Sequence, residues 1–367
     1  MTERLSVLLR EEADALDVPP AGTQAILARG RGLRRRRRWT RGAAVVAAVA
    51  VVSAGTAGEV HRLRTADQID PAHAAEAFAA QGAFAVGRDL HVGEVVLSWP
   101  EAVKALYYTS AGVVVRSGTS SDTNEGQSHY ELVTPTGERS TIDVDMGNQI
   151  AEFEPDSTRF AYATQGDGHL DVVVHDVVTD EELARITVLD HPVQSGWDAP
   201  RVSIDGDLVW VQDYPTGWIE VDWRTGAVRD VPDTADTFEL QNGRYAVQRG
   251  NEWEIRSMAD QSPVGEVRML QGWYAFFSPD GRLMRSFPNG TRNTSPSPDS
   301  YVHDVATGTR FRHADAGYEL GWTPDGHLMV LAGDTVRICE PMSDGCTVEA
   351  FDPGAGTVRL GGAPYES

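Results

Sequence analysis

The 367-residue chain carries a formal charge of −22 with 41% hydrophobic residues, enough apolar content to bury a sizeable core and too much for a chain disordered throughout. The charge is unevenly placed: residues 1–42 hold ten arginines against five acidic residues, so the remainder carries −27. A body that acidic lacks the basic clusters that displace counterions from phosphate, which sets nucleic acid aside as a partner.

In chain order, Leu5, Leu8, Leu9 and Leu16 share one helical stripe, and Thr23 is placed to cap a second short helix. Both are too short to fold alone, so residues 1–42 read as a flexible cytoplasmic tail. Docking on a cytoplasmic partner, as the inner domain of a transmembrane anti-sigma factor does, is the alternative; the segment has neither the His nor the Cys of the zinc cluster in many such domains. Next comes "RGLRRRRRWTRGAAVVAAVAVVSAGTAGEV". Arg34, Arg35, Arg36, Arg37, Arg38 and Arg41 precede an apolar run that starts at Ala43 and reaches Gly58 through small residues. Sixteen helical residues cover about 24 Å, short of the roughly 30 Å hydrocarbon core unless Trp39 and snorkelling arginines lengthen the span. The reading is a single transmembrane helix over residues 43–60. A cleaved signal that releases a secreted domain is the alternative, less favoured because the preceding 42 residues are long for an n-region. Under the positive-inside rule the arginines stay cytoplasmic and everything beyond residue 60 is exported.

Residues 61–82 read as a linker with one helix. Asp70 caps it, Pro71 takes the first turn, alanines fill it and Gly82 ends it, so the expectation is a stalk or spacer.

From residue 83 to 367 helical periodicity gives way to short apolar runs such as "VKALYYT", "GVVVRSG" and "LDVVVHDV", each closed by Gly, Pro, Asp or Asn. These are strands of an all-β domain. One turn recurs among them. Ser278-Pro279-Asp280-Gly281 is repeated as Thr323-Pro324-Asp325-Gly326, and without the glycine around Pro155 and Asp156. Asp205-Gly206 and Asn242-Gly243 are reduced copies, and Ser110-Ala111-Gly112 is the weakest. Proline presets φ at the second turn position, aspartate bonds its own backbone at the third, and glycine suits the fourth. Taking residues 112, 157, 206, 243, 281 and 326 as equivalent gives intervals of 45, 49, 37, 38 and 45, the period of four-stranded propeller blades. A second landmark follows each turn by about 25 residues: "VVHDVVTDEE", "IEVDWRTGAV" and "YVHDVATGTR" place a strand before a polar turn, where a blade's third and fourth strands meet.

"EFEPDSTRFAYATQGDGHLDVVVHDVVT" and "FFSPDGRLMRSF", with "YVHDVATG" after it, resemble the WD40-like repeats of the TolB type. That family carries SPDG between two strands and a D-x-x-T-G turn after the third. The resemblance spans roughly residues 99–353 and implies a β-propeller of four-stranded antiparallel blades. It is nearly silent on activity, because such propellers act as binding platforms, substrate gates and occasional enzymes. Six repeats are visible. The leftover "AFAVGRDLHVGEVVLSW" before them and "TVRLGG" after them complete a seventh blade, three strands from the front and one from the end, in preference to a six-bladed ring.

Cys339 and Cys346, the only cysteines, flank one turn, and in an exported domain they are expected to form a disulfide. Ten histidines are scattered singly, with His175 and His303 at equivalent repeat positions that mark them as structural. Trp197, Trp210, Trp218, Trp223 and Trp273 fall at strand spacing, where packing between blades is the default. The aspartate-rich "QGDGHLD" and "IDVDMG" lack the ligand pattern of a calcium loop. No G-x-S-x-G, P-loop or H-E-x-x-H is present. The expectation is therefore a membrane-anchored extracytoplasmic propeller without cofactor or metal, binding a protein or small ligand non-catalytically. An exported lyase or hydrolase with its site at the channel mouth is one alternative, and an anti-sigma-like signalling protein another. Lys104, the only lysine among 32 basic residues, points to a GC-rich coding sequence such as bacteria carry.

Overall fold

A computed structural model describes residues 70–363 apart from 123–124, 145, 147–151, 167, 192–199, 214–216, 232–236, 242, 250–251, 269–272, 289–298, 315–319 and 353–355. The tail helices, the apolar run over 43–60, the six arginines before it, Trp197 and Asn242 lie outside the described residues. Among the described residues no helix is long and apolar enough to cross a membrane.

Helix α1 (Pro71–Gln81) forms between its expected caps. Asp70 accepts from the Ala72 N–H at 3.1 Å, and Gly82, at φ 68°, returns its N–H to the Phe78 carbonyl at 2.8 Å. The helix is docked on the propeller and is not a free-standing stalk, a correction to the expectation for this helix; residues 61–69 of the expected linker lie outside the described residues. Ala74, Ala77 and Phe78 are buried, the Phe78 ring meets Tyr108 edge-on at 5.6 Å, and the Ala79 carbonyl accepts from Asp325 N at 3.0 Å. Gly93 makes the seat: a Cβ there would lie 2.8 Å from Phe78 N. Small alanines and one phenylalanine suffice to dock this helix, which is why no apolar stripe announced it.

The rest is seven four-stranded antiparallel sheets, the blades of a propeller. Blade 2 is β4 (Ala102–Thr109), β5 (Gly112–Gly118), β6 (His129–Val133) and β7 (Arg139–Ile142). Blades 3 to 7 follow as β8–β11 (152–189), β12–β15 (202–231), β16–β19 (237–268), β20–β23 (273–313) and β24–β27 (320–350). Blade 1 joins the two ends of the chain. β28 (Val358–Leu360) pairs with β1 (Ala83–Val86), followed by β2 (Asp89–Val92) and β3 (Val95–Ser98), so the ring closes with three strands from the front and one from the back.

In each blade the first strand is innermost, and the first strands adjoin one another around the ring. The middle strands are covered on both faces by neighbouring blades; all seven residues of β5 are buried. This explains continuous runs such as Val113-Val114-Val115 where a one-sided strand would alternate. The fourth strands form the rim, and all five residues of β27 (Cys346–Ala350) are exposed. Each interface between blades has its own apolar cluster. Examples are Tyr130, Phe153 and Phe160 between blades 2 and 3, Trp210, Trp218 and Tyr245 between 4 and 5, and Leu283, Trp322 and Val330 between 6 and 7. The described tryptophans of the expectation, Trp210, Trp218 and Trp223, are buried in these interfaces.

Candidate binding face

Antiparallel connectivity gives the ring two different faces. On the turn face lie the first-to-second-strand turns, the third-to-fourth-strand hairpins and α1; on the open face lie the second-to-third connections and the links between blades. The recurrent turn sits on the turn face, joining the first and second strands of blades 2 to 7. Gly206, Gly243, Gly281 and Gly326 take φ values of 62°, 63°, 62° and 84°, which favour glycine at the fourth position. Asp280 accepts from Arg282 N at 3.0 Å and from Ser278 Oγ at 2.6 Å, and Gly281 N closes the turn on the Ser278 carbonyl at 2.8 Å.

These turns also hold one blade to the next. Ser110 N donates to the Ser157 carbonyl at 2.9 Å, Gly206 N to Glu154 Oε1 at 2.8 Å, and Arg244 Nη1 to the Gly281 carbonyl. Asp205 lies against Gly243, where a Cβ would sit 2.5 Å from its Oδ2; burial, with the nearby Glu154 charge, raises the Asp205 pKa. Pro155, Pro279 and Pro324 fix these turns, and Asp156 and Asp325 occupy the third position in theirs. The recurrence is thus architectural, and specificity must come from elsewhere.

Connections on the turn face are two to six residues long, whereas those on the open face reach twelve. Such variability is where binding residues collect on a rigid scaffold. Two second-to-third connections stand out, 119–128 in blade 2 and 289–299 in blade 6, both rich in Ser, Thr, Asn and Gly. Four residues beyond the turn position, these same two blades bury an arginine completely, Arg116 and Arg285; blades 3, 4, 5 and 7 carry Ala161, Trp210, Val247 and Val330 there, beside connections of two or three residues. Burial lowers the pKa of both guanidinium groups, that of Arg285 far more. Interring a cation is costly unless hydrogen bonds replace its water.

In blade 2 those bonds go to the connection itself. A β-bulge between Val103 and Ala105 aims the fully buried Lys104, whose Nζ donates to the Glu125 carbonyl at 2.5 Å and lies 3.4 Å from Ser128 Oγ. Arg116 Nε donates to Ser128 Oγ at 2.9 Å, and Arg359 Nη2 to the Ser121 carbonyl at 2.8 Å. Gly118 leaves the passage open, since a Cβ there would stand 2.8 Å from Lys104 Cε. Beside this braced segment, at the boundary of blades 1 and 2, a cavity of about 400 Å3 opens between the β1–β2 turn, the start of β4 and Thr357.

No protein-family model and no curated protein matches the chain. Among solved structures it is similar to a KlHsv2 variant with loop 6CD replaced by a Gly-Ser linker, at 12% identity and TM-score 0.43, over 66% of this chain and 79% of that one. It is also similar to a chain of the mitotic checkpoint complex (14% identity, TM-score 0.43, 70% and 83% covered). TolB from Acinetobacter baumannii matches at 15% identity and TM-score 0.37, over 76% of this chain and 64% of that one. These likenesses are of fold alone.

Sequence reasoning singled out neither Arg116 nor Arg285, and took Lys104 only as a sign of base composition. Aligning the repeats on their turn residue would have found both arginines, because they are the two charged residues in an otherwise apolar column. The other expected residues fall elsewhere. Cys339 and Cys346 are directly opposite one another on β26 (Thr335–Cys339) and β27 and are joined as a disulfide. The double variant C339S/C346S should lose about 2 kcal/mol of stability, seen as a lower urea midpoint that reductant reproduces in the parent chain. His175 Nε2 lies 2.9 Å from Asp180 Oδ1, inside a hairpin. His303 Nε2 lies 2.8 Å from Ser286 Oγ, but Ser286 is only 1% exposed, so this hydroxyl is not presented to a substrate. Among the described residues no group of three or more His, Cys, Asp or Glu is placed to hold a metal ion.

Proposed function

We propose that this chain is a membrane-anchored, extracytoplasmic β-propeller that works as a non-catalytic binding module and meets its partner through the open face. The observation that carries the binding reading is the blade 2 connection held by Lys104, Arg116 and Arg359. An apolar pair at 104 and 116 would fill the interior without the cost of interring two cations. What the cations add is a fixed position for a polar segment beside a cavity, the preorganisation that binding rewards. The turn face is tied from blade to blade and partly covered by α1, which leaves the open face for a partner.

Export is supported by the Cys339–Cys346 disulfide, since such bonds persist in oxidising compartments. Seven arginines between Arg31 and Arg41, with none from Gly42 to Val60, support an orientation with the N-terminus cytoplasmic and the propeller outside. The test has two arms. A reporter active only outside the cytoplasm, fused after Ser367, should be active, and protease should shave the propeller from spheroplasts while residues 1–42 stay protected. A photo-crosslinking residue at Thr119 should yield a discrete adduct in native membranes, and one at Asp156 on the turn face should not. A propeller protected from protease rejects the export reading; equal crosslinking from both faces rejects the open face.

A further inference from the structure

We infer that the cavity between blades 1 and 2 is a binding site for a small zwitterion of the amino-acid or short-peptide class, its carboxylate at Arg88 and its ammonium at Glu101. This deepens the binding reading above and rests on it. Arg88 and Glu101 both border the cavity, Arg88 from the β1–β2 turn of blade 1 and Glu101 from the segment leading into β4 of blade 2. Among the described residues Arg88 makes no side-chain hydrogen bond or ion pair, and Glu101 takes only a 3.4 Å hydrogen bond from Ser117 Oγ. Elsewhere in the propeller most arginines have found a carboxylate, as Arg139 has Glu131, Arg159 has Glu154 and Arg229 has Glu220. Opposite charges bordering one cavity without closing on each other leave both available to a ligand that carries the opposite pair.

The backbone around Arg88 is fixed. Gly87, at φ 60°, turns the chain ahead of Arg88, its N–H donates to the Thr357 carbonyl at 2.9 Å, and Trp99 N donates to the Arg88 carbonyl at 2.6 Å. The turn is therefore pinned on both sides, and only the arginine side chain retains freedom. Ser121 Oγ and Thr357 Oγ1, 3.4 Å apart, supply hydroxyls that both donate and accept. Val103 adds an apolar wall for a ligand side chain. A volume of about 400 Å3 is at the small end of ligand pockets, which suits one to three residues and excludes a folded epitope. A guanidinium is the donor best shaped for a carboxylate, which it can grip with two parallel hydrogen bonds.

The test is calorimetric titration of the full chain with L-alanyl-L-alanine, beside N-acetyl-L-alanyl-L-alanine, which keeps the carboxylate and lacks the ammonium. The dipeptide should bind saturably at one site. R88A should weaken it about tenfold to a hundredfold, the loss of a charge-assisted contact. E101Q should weaken the dipeptide but leave the acetylated probe unchanged, so the preference for a free ammonium disappears. R268A, at an exposed arginine on the blade 5 rim, serves as the control and should bind normally. Absence of saturable binding by the dipeptide and by a panel of free amino acids at about 10 mM, or binding indifferent to R88A, overturns the inference. Should the titration fail, a crosslinked adduct at Thr119 in the parent chain would leave the open-face reading standing and remove only the zwitterion.

Discussion

A chain that ends at Gly356 should lose its cooperative fold. The truncation removes β28, and with it the pairing of Phe84, Ala85 and Val86 with Leu360, Arg359 and Val358 that closes the ring. Leu360 is buried between blades 7 and 1 with Phe84, Met329 and Ile338. Gly361 joins the same seam from both sides, donating to the Ala83 carbonyl at 2.8 Å and accepting from Trp322 N at 3.0 Å. Burying one leucine contributes about 2 kcal/mol and each hydrogen bond about 1 kcal/mol. For Leu360 and the two Gly361 hydrogen bonds the sum is about 4 kcal/mol before the β1–β28 ladder is counted, comparable to the stability of a marginal domain. The loss also exposes β1 as an unpaired edge, which invites association. Circular dichroism should show a broad transition at a much lower urea concentration, and a peptide of residues 356–367 added in trans should restore it. An unchanged midpoint would mean that the six continuous blades hold together without the closing strand.

The closure was legible because its parts are local. Blades 4 to 7 repeat a turn with a residue at positive φ, and glycine at 206, 243, 281 and 326 records that need in the residue itself. Where the need lapses so does the letter: Ser157 takes the fourth position of its turn without a left-handed φ. The leftover strands at the two ends could then be counted. The caps of α1 were legible for the same reason, as Asp70 and Gly82 act within a few residues of themselves. Its docking was not, because the fit of Phe78 over Gly93 and against Tyr108 is a property of surfaces brought together from different blades. The candidate site was the least legible part. Arginine in a strand reads as a solvated side chain, and only the packing of blades on both sides of β5 and β21 (Leu283–Pro288) puts Arg116 and Arg285 inside. Lys104 reaches the connection through a β-bulge, and residue types do not display bulges.

Acid should unfold the propeller through His303, and H303Q should blunt the effect. His303 is 2% exposed between blades 5 and 6, and its Nε2 shares a 2.8 Å hydrogen bond with Ser286 Oγ that a neutral ring can make as donor or acceptor, according to its tautomer. Burial first, and the Arg310 charge second, push its pKa down from 6.5 to about 4. The sign follows from which state holds the proton. Between pH 6.5 and about 4 the unfolded chain takes up a proton that the folded chain refuses, so the unfolded state gains stability as pH falls. The native advantage is complete above pH 6.5 and is lost progressively down to about pH 4, by roughly 3 kcal/mol. His91 and His313 have their pKa lowered mainly by burial and add slopes of the same sign, so the measurement is a difference between two proteins. H303Q keeps a hydrogen-bonding group beside Ser286 without the titration. Urea midpoints of the parent chain and of H303Q at pH 7, 5.5 and 4 should converge as pH falls, because the parent loses stability that the variant does not have to lose. Parallel curves would show that His303 takes its proton while folded, and that the blade 5–6 interface accommodates the charge.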